Sequence, residues 1–304
     1  MHEDRRSRAA RVVIASCRAL PGWEVDDRAL YAALEGRGVA LTIAAWDDEA
    51  IDWARFDGCL IRTTWDYSGR REEFCRWAAA VEAQTRLFNS AGLVRWNTHK
   101  RYLRDLEAAG ATLAPTRWLA RADVVDVAAV MAAEGWPQGL IKPLVGASSR
   151  ETIRFDADAA GLRAAQAHVD RLLPGEDLAI QRYLPSVERE GEFSIILIDG
   201  GFSHGVRKIP VAGDFRVQDD FGARDEPWSP PAALIAEASA MVATLEGGGP
   251  PLYARVDLLR DDAGRFVLNE LEVVEPSLFF RGRAAPAERL VDALLRRLAA
   301  AGAA

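Results

Sequence analysis

Only three cysteines occur in 304 residues, Cys17, Cys59 and Cys75, odd in number, far apart and set among apolar neighbours. That pattern excludes a disulfide framework and a CxxC metal site, and predicts buried structural thiols. Long apolar runs are missing too. Nothing approaches the ~20 residues a membrane-crossing helix needs, so no membrane partner is expected. The opening segment, MHEDRRSRAARVVIASC, has neither an apolar h-region nor a small-residue cleavage site, and a cytoplasmic protein is expected. A basic block is also absent. Lys and Arg total 38 against 45 Asp and Glu, a net charge of −7. Such a balance disfavours nucleic acid as a main partner and leaves room for a small phosphorylated ligand held by a few convergent cations. Neither GxxxxGK[ST] nor GxGxxG is present, which removes a P-loop and a Rossmann dinucleotide site.

What is present is ordinary globular composition, 49% hydrophobic and 27% charged, in a chain long enough for two or three associated units. Residues 1–94 read as a βαβ domain with a parallel sheet, the substrate side of the molecule. Strands are expected at Val12–Ser16, Leu41–Ala45 and Gly58–Ile61. Asp26 is positioned to cap a helix that carries Leu30 and Leu34, and a second helix carries Phe74, Trp77, Ala78 and Val81. Residues 95–180 read as a compact α+β module. In it Thr98 caps a helix with Tyr102, Leu103 and Leu106, helices cover Asp123–Glu134 and Asp158–Leu172, and short strands surround PLVGASSRE. Residues 181–304 are dominated by hairpins. Asp199-Gly200-Gly201 joins Phe193–Ile198 to Phe202–Lys208, and Asp261-Asp262-Ala263-Gly264 joins Leu252–Leu259 to Arg265–Leu271. An ordered loop is expected from Pro210 to Pro231, a helix from Ala232 to Leu245, a short linker at Gly247–Pro251, and a closing amphipathic helix from Pro286 to Ala300.

Chemistry concentrates in YARVDLLRDDAGRFVLNELEVVEPS, Tyr253 to Ser277. Strand side chains alternate, so Arg255 and Asp257 share one face, Glu270 and Glu272 share another, and a hairpin brings all four together. Three clustered carboxylates need a neutralising cation, and their hard oxygens suit Mg²⁺. Two lysines stand out by position. Lys100 begins a helix; Lys142 ends an apolar strand before the small-residue loop Gly146-Ala147-Ser148-Ser149, whose backbone N–H groups suit phosphate oxygens. His204, beside Ser203, reads as a structural hydrogen-bonding residue, and no Ser–His–acid triad is apparent.

The order of these parts resembles the ATP-grasp superfamily of ATP-dependent carboxylate ligases, along nearly the whole chain. The resemblance implies an α/β (α+β) fold in which an N-terminal parallel-sheet domain is followed by two α+β subdomains clamping ATP. It implies ATP and Mg²⁺ as cofactors. By motif, Lys100 in WNTHKRYL and Lys142 in LIKP are similar to the two phosphate-binding lysines, with Ser148 and Ser149 in the lid. Gln181, Arg182, Tyr183 and Leu184 resemble the adenine hinge, with Glu188 or Glu192 as the ribose acid. Lys208 resembles the cation that meets the γ-phosphate and Arg255 the arginine that stabilises the tetrahedral intermediate. Asp257, Glu270 and Glu272 resemble the Mg²⁺ ligands. The usual Glu-x-Asn is here Glu-x-Glu, beside Asn269, and the register to Pro276 is one residue longer.

The runs RTTWDY, WNTHKRYL, GEFS, SHGVRK and DFRVQDDFGA further resemble the group of the D-cycloserine-forming ligase, which closes O-ureido-D-serine into a ring with ATP. The implied reaction activates a carboxylate of a small amino-acid-like substrate as an acylphosphate, which an amine then attacks. Arg62, Thr63, Asp66, Arg216 and Ser277 are the candidate substrate contacts, because strand-end loops border the cleft. Two other readings stay open: a phosphotransferase that stops at a stable phosphorylated product, and a nucleotide-binding protein without turnover. A homodimer is left open as well.

Overall fold

The computed structural model describes residues 8–19, 23–243, 245 and 249–301; part of the expected Gly247–Pro251 linker therefore lies outside the described residues. The chain opens with β1 (Arg11–Ser16), α1 (Arg28–Gly36), β2 (Ala40–Ala45), β3 (Gly58–Thr63), α2 (Arg71–Glu82) and β4 (Leu87–Phe88). These strands form a parallel sheet in the order β2-β1-β3-β4. Val12 to Ala15 and Cys59 to Ile61 are buried on both faces, which is why the strands read as unbroken apolar runs. All three cysteines are buried and free.

Two short helices follow, α3 (Ala91–Asn97) and α4 (Tyr102–Ala108). The middle unit comprises β5 (Thr116–Leu119), α5 (Val127–Glu134), β6 (Gln138–Pro143), β7 (Ile153–Asp156), α6 (Ala159–Leu172) and β8 (Leu178–Arg182), its antiparallel sheet ordered β5-β8-β6-β7. Ile141, Leu178 and Ile180 pack beneath α5 and α6. The last third holds α7 (Ser186–Glu190), β9 (Glu192–Ile198), β10 (Gly201–Ile209), β11 (Arg224–Trp228), α8 (Ala232–Val242), β12 (Tyr253–Arg260), β13 (Phe266–Glu272) and α9 (Ala284–Ala301). Its antiparallel sheet runs β11-β10-β9-β12-β13. Helix α9 returns to the first sheet, where Leu290 and Leu294 join Leu30 and Leu34 of α1 in one core.

Several local expectations are corrected. Asp26 does not cap α1. Its carboxylate reaches across the molecule, accepting hydrogen bonds from the Ser277 hydroxyl (2.8 Å) and from the backbone N–H of Leu278 and Phe279 (both 3.1 Å). Thr98 ends α3 rather than starting α4, and Lys100 sits in the turn between them. The α5 helix starts later than expected, because the Asp126 side chain caps it at Ala129 N–H. The 210–231 stretch contains β11, an edge strand carrying Pro227 and three charged residues, features that blunt an open sheet edge. The α8 helix stops at Val242.

β13 is the other edge of the last sheet, and side chains cover it. Asn97 donates to Leu271 O (2.7 Å) and accepts from Val273 N–H (3.0 Å), and Leu271 N–H donates to the Tyr102 hydroxyl (3.0 Å). Asn89, fully buried, donates to Val273 O (2.7 Å) and Tyr253 O (2.9 Å) and accepts from Leu252 N–H (2.7 Å). Asn89→Ala leaves three buried backbone groups without partners at about 1–3 kcal/mol each. The expected loss is about 3–5 kcal/mol in urea unfolding; a loss below about 1 kcal/mol would show that the amide is not a fastener.

Candidate active site

One face of the last sheet grades along its strands. Tyr253, Ile196 and Ile198 are apolar and pack towards the first sheet, whereas Ala254, Val256 and Leu258 face the opposite way, under α8. Between Tyr253 and Leu259, on the cavity face, come Arg255 and Asp257. Strand register sets their neighbours directly across: Glu272 beside Arg255, Glu270 and Ser194 beside Asp257, and Lys208 beside Glu192. The hairpin therefore brings the four predicted residues together. The register breaks between Asp257 and Leu258, where an extra residue, Asn269, enters β13. Such a bulge re-aims side chains, and both Asn269 and Glu270 line the cavity.

The cavity measures about 510 Å³ and lies between the last sheet and the middle sheet, within the size range of small-molecule sites. On the middle sheet, Leu140 faces Gln181 and Lys142 faces Ala179 across the β6/β8 pair. Alternation thus turns Leu140, Lys142 and Gln181 towards the cavity while Ile141 and Ile180 enter the core. Tyr183 and Leu184 continue the wall, and Leu259, Phe215 and Val217 stand among the lining residues too. The loop after β6 carries left-handed backbone at two adjacent non-glycine residues, Ser148 (φ 48°) and Ser149 (φ 55°), a conformation that side chains disfavour. Ser149 Oγ donates to Gln218 Oε1 (3.1 Å), which ties this loop to the segment after β10.

Every strand carboxylate here is held by a basic side chain. Arg255 donates Nε and Nη2 to Asp257 (2.9–3.0 Å), Nη2 to Glu272 (2.6 Å) and Nη1 to Ser277 O (3.0 Å). Lys208 pairs with Glu192 and lies 3.3 Å from Asp257; Lys100 lies 2.7 Å from Glu270. Among the described residues no three carboxylates stand as a ready metal cage. Burial opposes ionisation of Asp257, but Arg255 and Lys208 outweigh it and hold the carboxyl down at about 2. Glu270 is likewise lowered, against burial, by Lys100 and Lys142. Glu272 goes the other way: burial, with Asp257 and Glu270 nearby, pushes it up to about 8 despite Arg255. Lys142 is buried, makes no ion pair among the described residues, and burial lowers its pKa.

The remaining expected residues divide. Arg62 lines the cavity, 2% exposed, donating Nε and Nη2 to Asp27 (2.8–3.1 Å), and its buried Nη1 has no acceptor among the described residues. Thr63 lines it with Oγ1 2.7 Å from Ser16 Oγ. Ser277 lines it, tied to Asp26. Arg216 lines it, paired with Asp214 and stacked 3.8 Å above the Phe221 ring. Asp66 is a correction: it is not among the lining residues. A 3-10 turn over Trp65–Gly69 carries it to Trp46 Nε1 (2.8 Å) and Arg70 (2.9 Å). Glu192 lines the cavity between Lys208 and Asn269 Nδ2 (2.6 Å), whereas Glu188 lies outside the lining, bound to Arg154 (2.5 Å) and Tyr183. Arg182 pairs outward with Asp262. His204 is structural as expected, its Nε2 3.0 Å from Leu278 O, with burial bringing it down to about 4. Sequence reasoning missed Asp27, Tyr67 and Glu275, all of which line the cavity. Glu275 stood next to the noted Pro276-Ser277, but nothing local separates it from a surface acid.

Comparison with known proteins supplies the family. A family profile described as D-cycloserine synthetase DcsG, N-terminal domain, matches residues 12–89. The cycloserine biosynthesis protein DcsG of Streptomyces lavendulae is 32% identical over 290 residues, covering 90% of this chain and 94% of that one. The chain belongs to the DcsG family. The crystal structure of D-cycloserine synthetase DcsG superposes with a TM-score of 0.85 at 30% identity, covering 95% of this chain and all of that one. D-alanine–D-alanine ligase from Bacillus anthracis, complexed with ATP, shares the fold with a TM-score of 0.69 at 15% identity, over 96% and 98% of the two chains. As a DcsG-family member the protein is an ATP-grasp enzyme, an ADP-forming ligase that joins a carboxylate to an amine. No helix among the described residues is long and apolar enough to cross a membrane.

Proposed function

We propose that this enzyme closes a ureidooxy amino acid of the O-ureido-D-serine type into a ring, activating the carboxylate with ATP and displacing phosphate with a nitrogen of the same molecule. The observation that carries the reading is the end-to-end likeness to an enzyme named for cycloserine synthesis, at 30% identity and a TM-score of 0.85. ATP would lie between the two sheets, with Gln181, Arg182, Tyr183 and Leu184 available to hold its base and Lys100, Lys142 and Lys208 to hold its phosphates under the Gly146–Ser149 loop. Glu188 at the hinge end and Glu192 in the cavity wall are the two acids available to the ribose.

The donor set fits a hard divalent cation: Asp257, Glu270 and Glu272 offer only carboxylate oxygens, and two of their present partners, Lys208 and Lys100, are cations that a triphosphate would draw away. Mg²⁺ bound there supplies charge neutralisation for the transferring phosphoryl group. The chain's own groups do the rest. The three lysines spread the negative charge as the substrate carboxylate takes the γ-phosphoryl group. Arg255, fixed by Asp257 and the Ser277 carbonyl, presents its guanidinium to the oxyanion formed when nitrogen attacks the acylphosphate carbon. The bond to phosphate then breaks and phosphate leaves with the electron pair. Arg62, Thr63, Arg216 and Ser277 contact the substrate from the N-terminal side and the β10–β11 segment.

The test is incubation with Mg²⁺, ATP and O-ureido-D-serine, with ADP, phosphate and product masses measured together. Equal release of ADP and phosphate with a ring-closed product is expected. A stable phosphorylated product without free phosphate would make the enzyme a phosphotransferase, and tight ATP binding with no ADP would make it a sensor.

A further inference from the structure

We propose that Glu275 is the counter-ion of the substrate's α-ammonium group, so that the site takes zwitterionic α-amino acids rather than simple carboxylates. The inference deepens the proposed function and rests on the same cavity. Asp257, Glu270, Glu272 and Glu192 each have a basic partner within 4.0 Å, as does Asp27 in Arg62. Glu275 lines the same cavity, partly buried, and makes no such pair among the described residues. The Tyr67 hydroxyl and its own backbone N–H favour its ionised form. Tyr67 is a rigid donor: it is 5% exposed and stacks on Phe74, ring centroids 5.0 Å apart. A buried carboxylate without a cation is expensive, and a cationic ligand group offsets that penalty.

A second observation points the same way. Arg62, held by Asp27, lines the same cavity, so the lining offers a guanidinium together with an acid that has no ion pair among the described residues, the complement of a ligand carrying an ammonium and a carboxylate oxygen. Arg255 and Lys100 line the same cavity and act on Glu275 through space, so the acid shares the cavity with the groups proposed to meet the activated carboxylate. Burial pushes the free Glu275 carboxyl up to about 7, a strain that an ammonium relieves.

The experiment is calorimetric titration of protein saturated with Mg·AMPPNP, wild type against Glu275→Gln and Glu275→Asp. The probes are O-ureido-D-serine, D-serine, L-serine and D-alanine, and the desamino analogue of each. Glu275→Gln is expected to weaken the best amino acid at least 30-fold and to leave its desamino analogue within threefold; Glu275→Asp falls between. Melting temperature and AMPPNP affinity stay at wild-type values, which separates recognition from folding. The proposal is overturned if Glu275→Gln binds the amino acid within threefold, if it loses acid and desamino analogue alike, or if wild type binds none of the four amino acids. Amino-acid binding without ring closure of O-ureido-D-serine would instead overturn the proposed function and leave Glu275 in place.

Discussion

Arg255→Ala is expected to reduce turnover at least 10³-fold and to destabilise the protein by about 3–5 kcal/mol, because one guanidinium compensates the buried Asp257 and the partly buried Glu272. Arg255 is 7% exposed and sits between Asp257 and Glu272, with its third contact on the Ser277 carbonyl. Without it, Glu272 has no ion pair among the described residues and Asp257 retains Lys208 at 3.3 Å. Arg255→Lys separates the two roles. A lysine restores a positive charge and most of the stability but not the planar fork that spans two carboxylates and a carbonyl. Its melting temperature is expected within a few degrees of wild type while kcat stays roughly 10²-fold down. Near-wild-type kcat in Arg255→Lys would refute the oxyanion role; full stability of Arg255→Ala would refute the compensation argument.

Glu270→Gln and Asp257→Asn are expected to lower Mg²⁺-dependent turnover at least 10³-fold, and Glu270→Gln carries a second, opposite signature. In the wild type Glu270 occupies Lys100 at 2.7 Å. An amide releases that lysine, so ATP binding in EDTA should become several-fold tighter than in the wild type, while the gain in affinity on adding Mg²⁺ disappears. Asp257→Asn lacks the first effect, since Lys208 keeps Glu192. Titration of ATP with and without Mg²⁺ reads both. An unchanged Mg²⁺ dependence in the two variants would mean that the cation is held elsewhere.

The part of the site made by strand alternation was legible because its geometry is local. Arg255 and Asp257 are two apart, as are Glu270 and Glu272, and a four-residue turn folds one pair onto the other. Lys142 was legible for the same reason, at the end of a strand whose other face is apolar. What escaped was long-range or irregular. Asp26 serves residues about 250 positions away, and Asn89 and Asn97 serve backbone groups more than 160 away; each looks like an ordinary cap or turn residue from its neighbours. The bulge that admits Asn269 leaves no mark in the hydrophobic pattern, and the single 3-10 turn that carries Asp66 outward defeats reading by proximity to Arg62.

The side chains that cover β13 divide the molecule mechanically. With Leu271 and Val273 latched by Asn97, Asn89 and Tyr102, the acids at 270 and 272 are fixed in the same frame as Arg62 and Tyr67. The acidic floor of the cavity is thereby riveted to its supporting helices, whereas Lys142 and Gln181 reach the same cavity from the separate middle sheet.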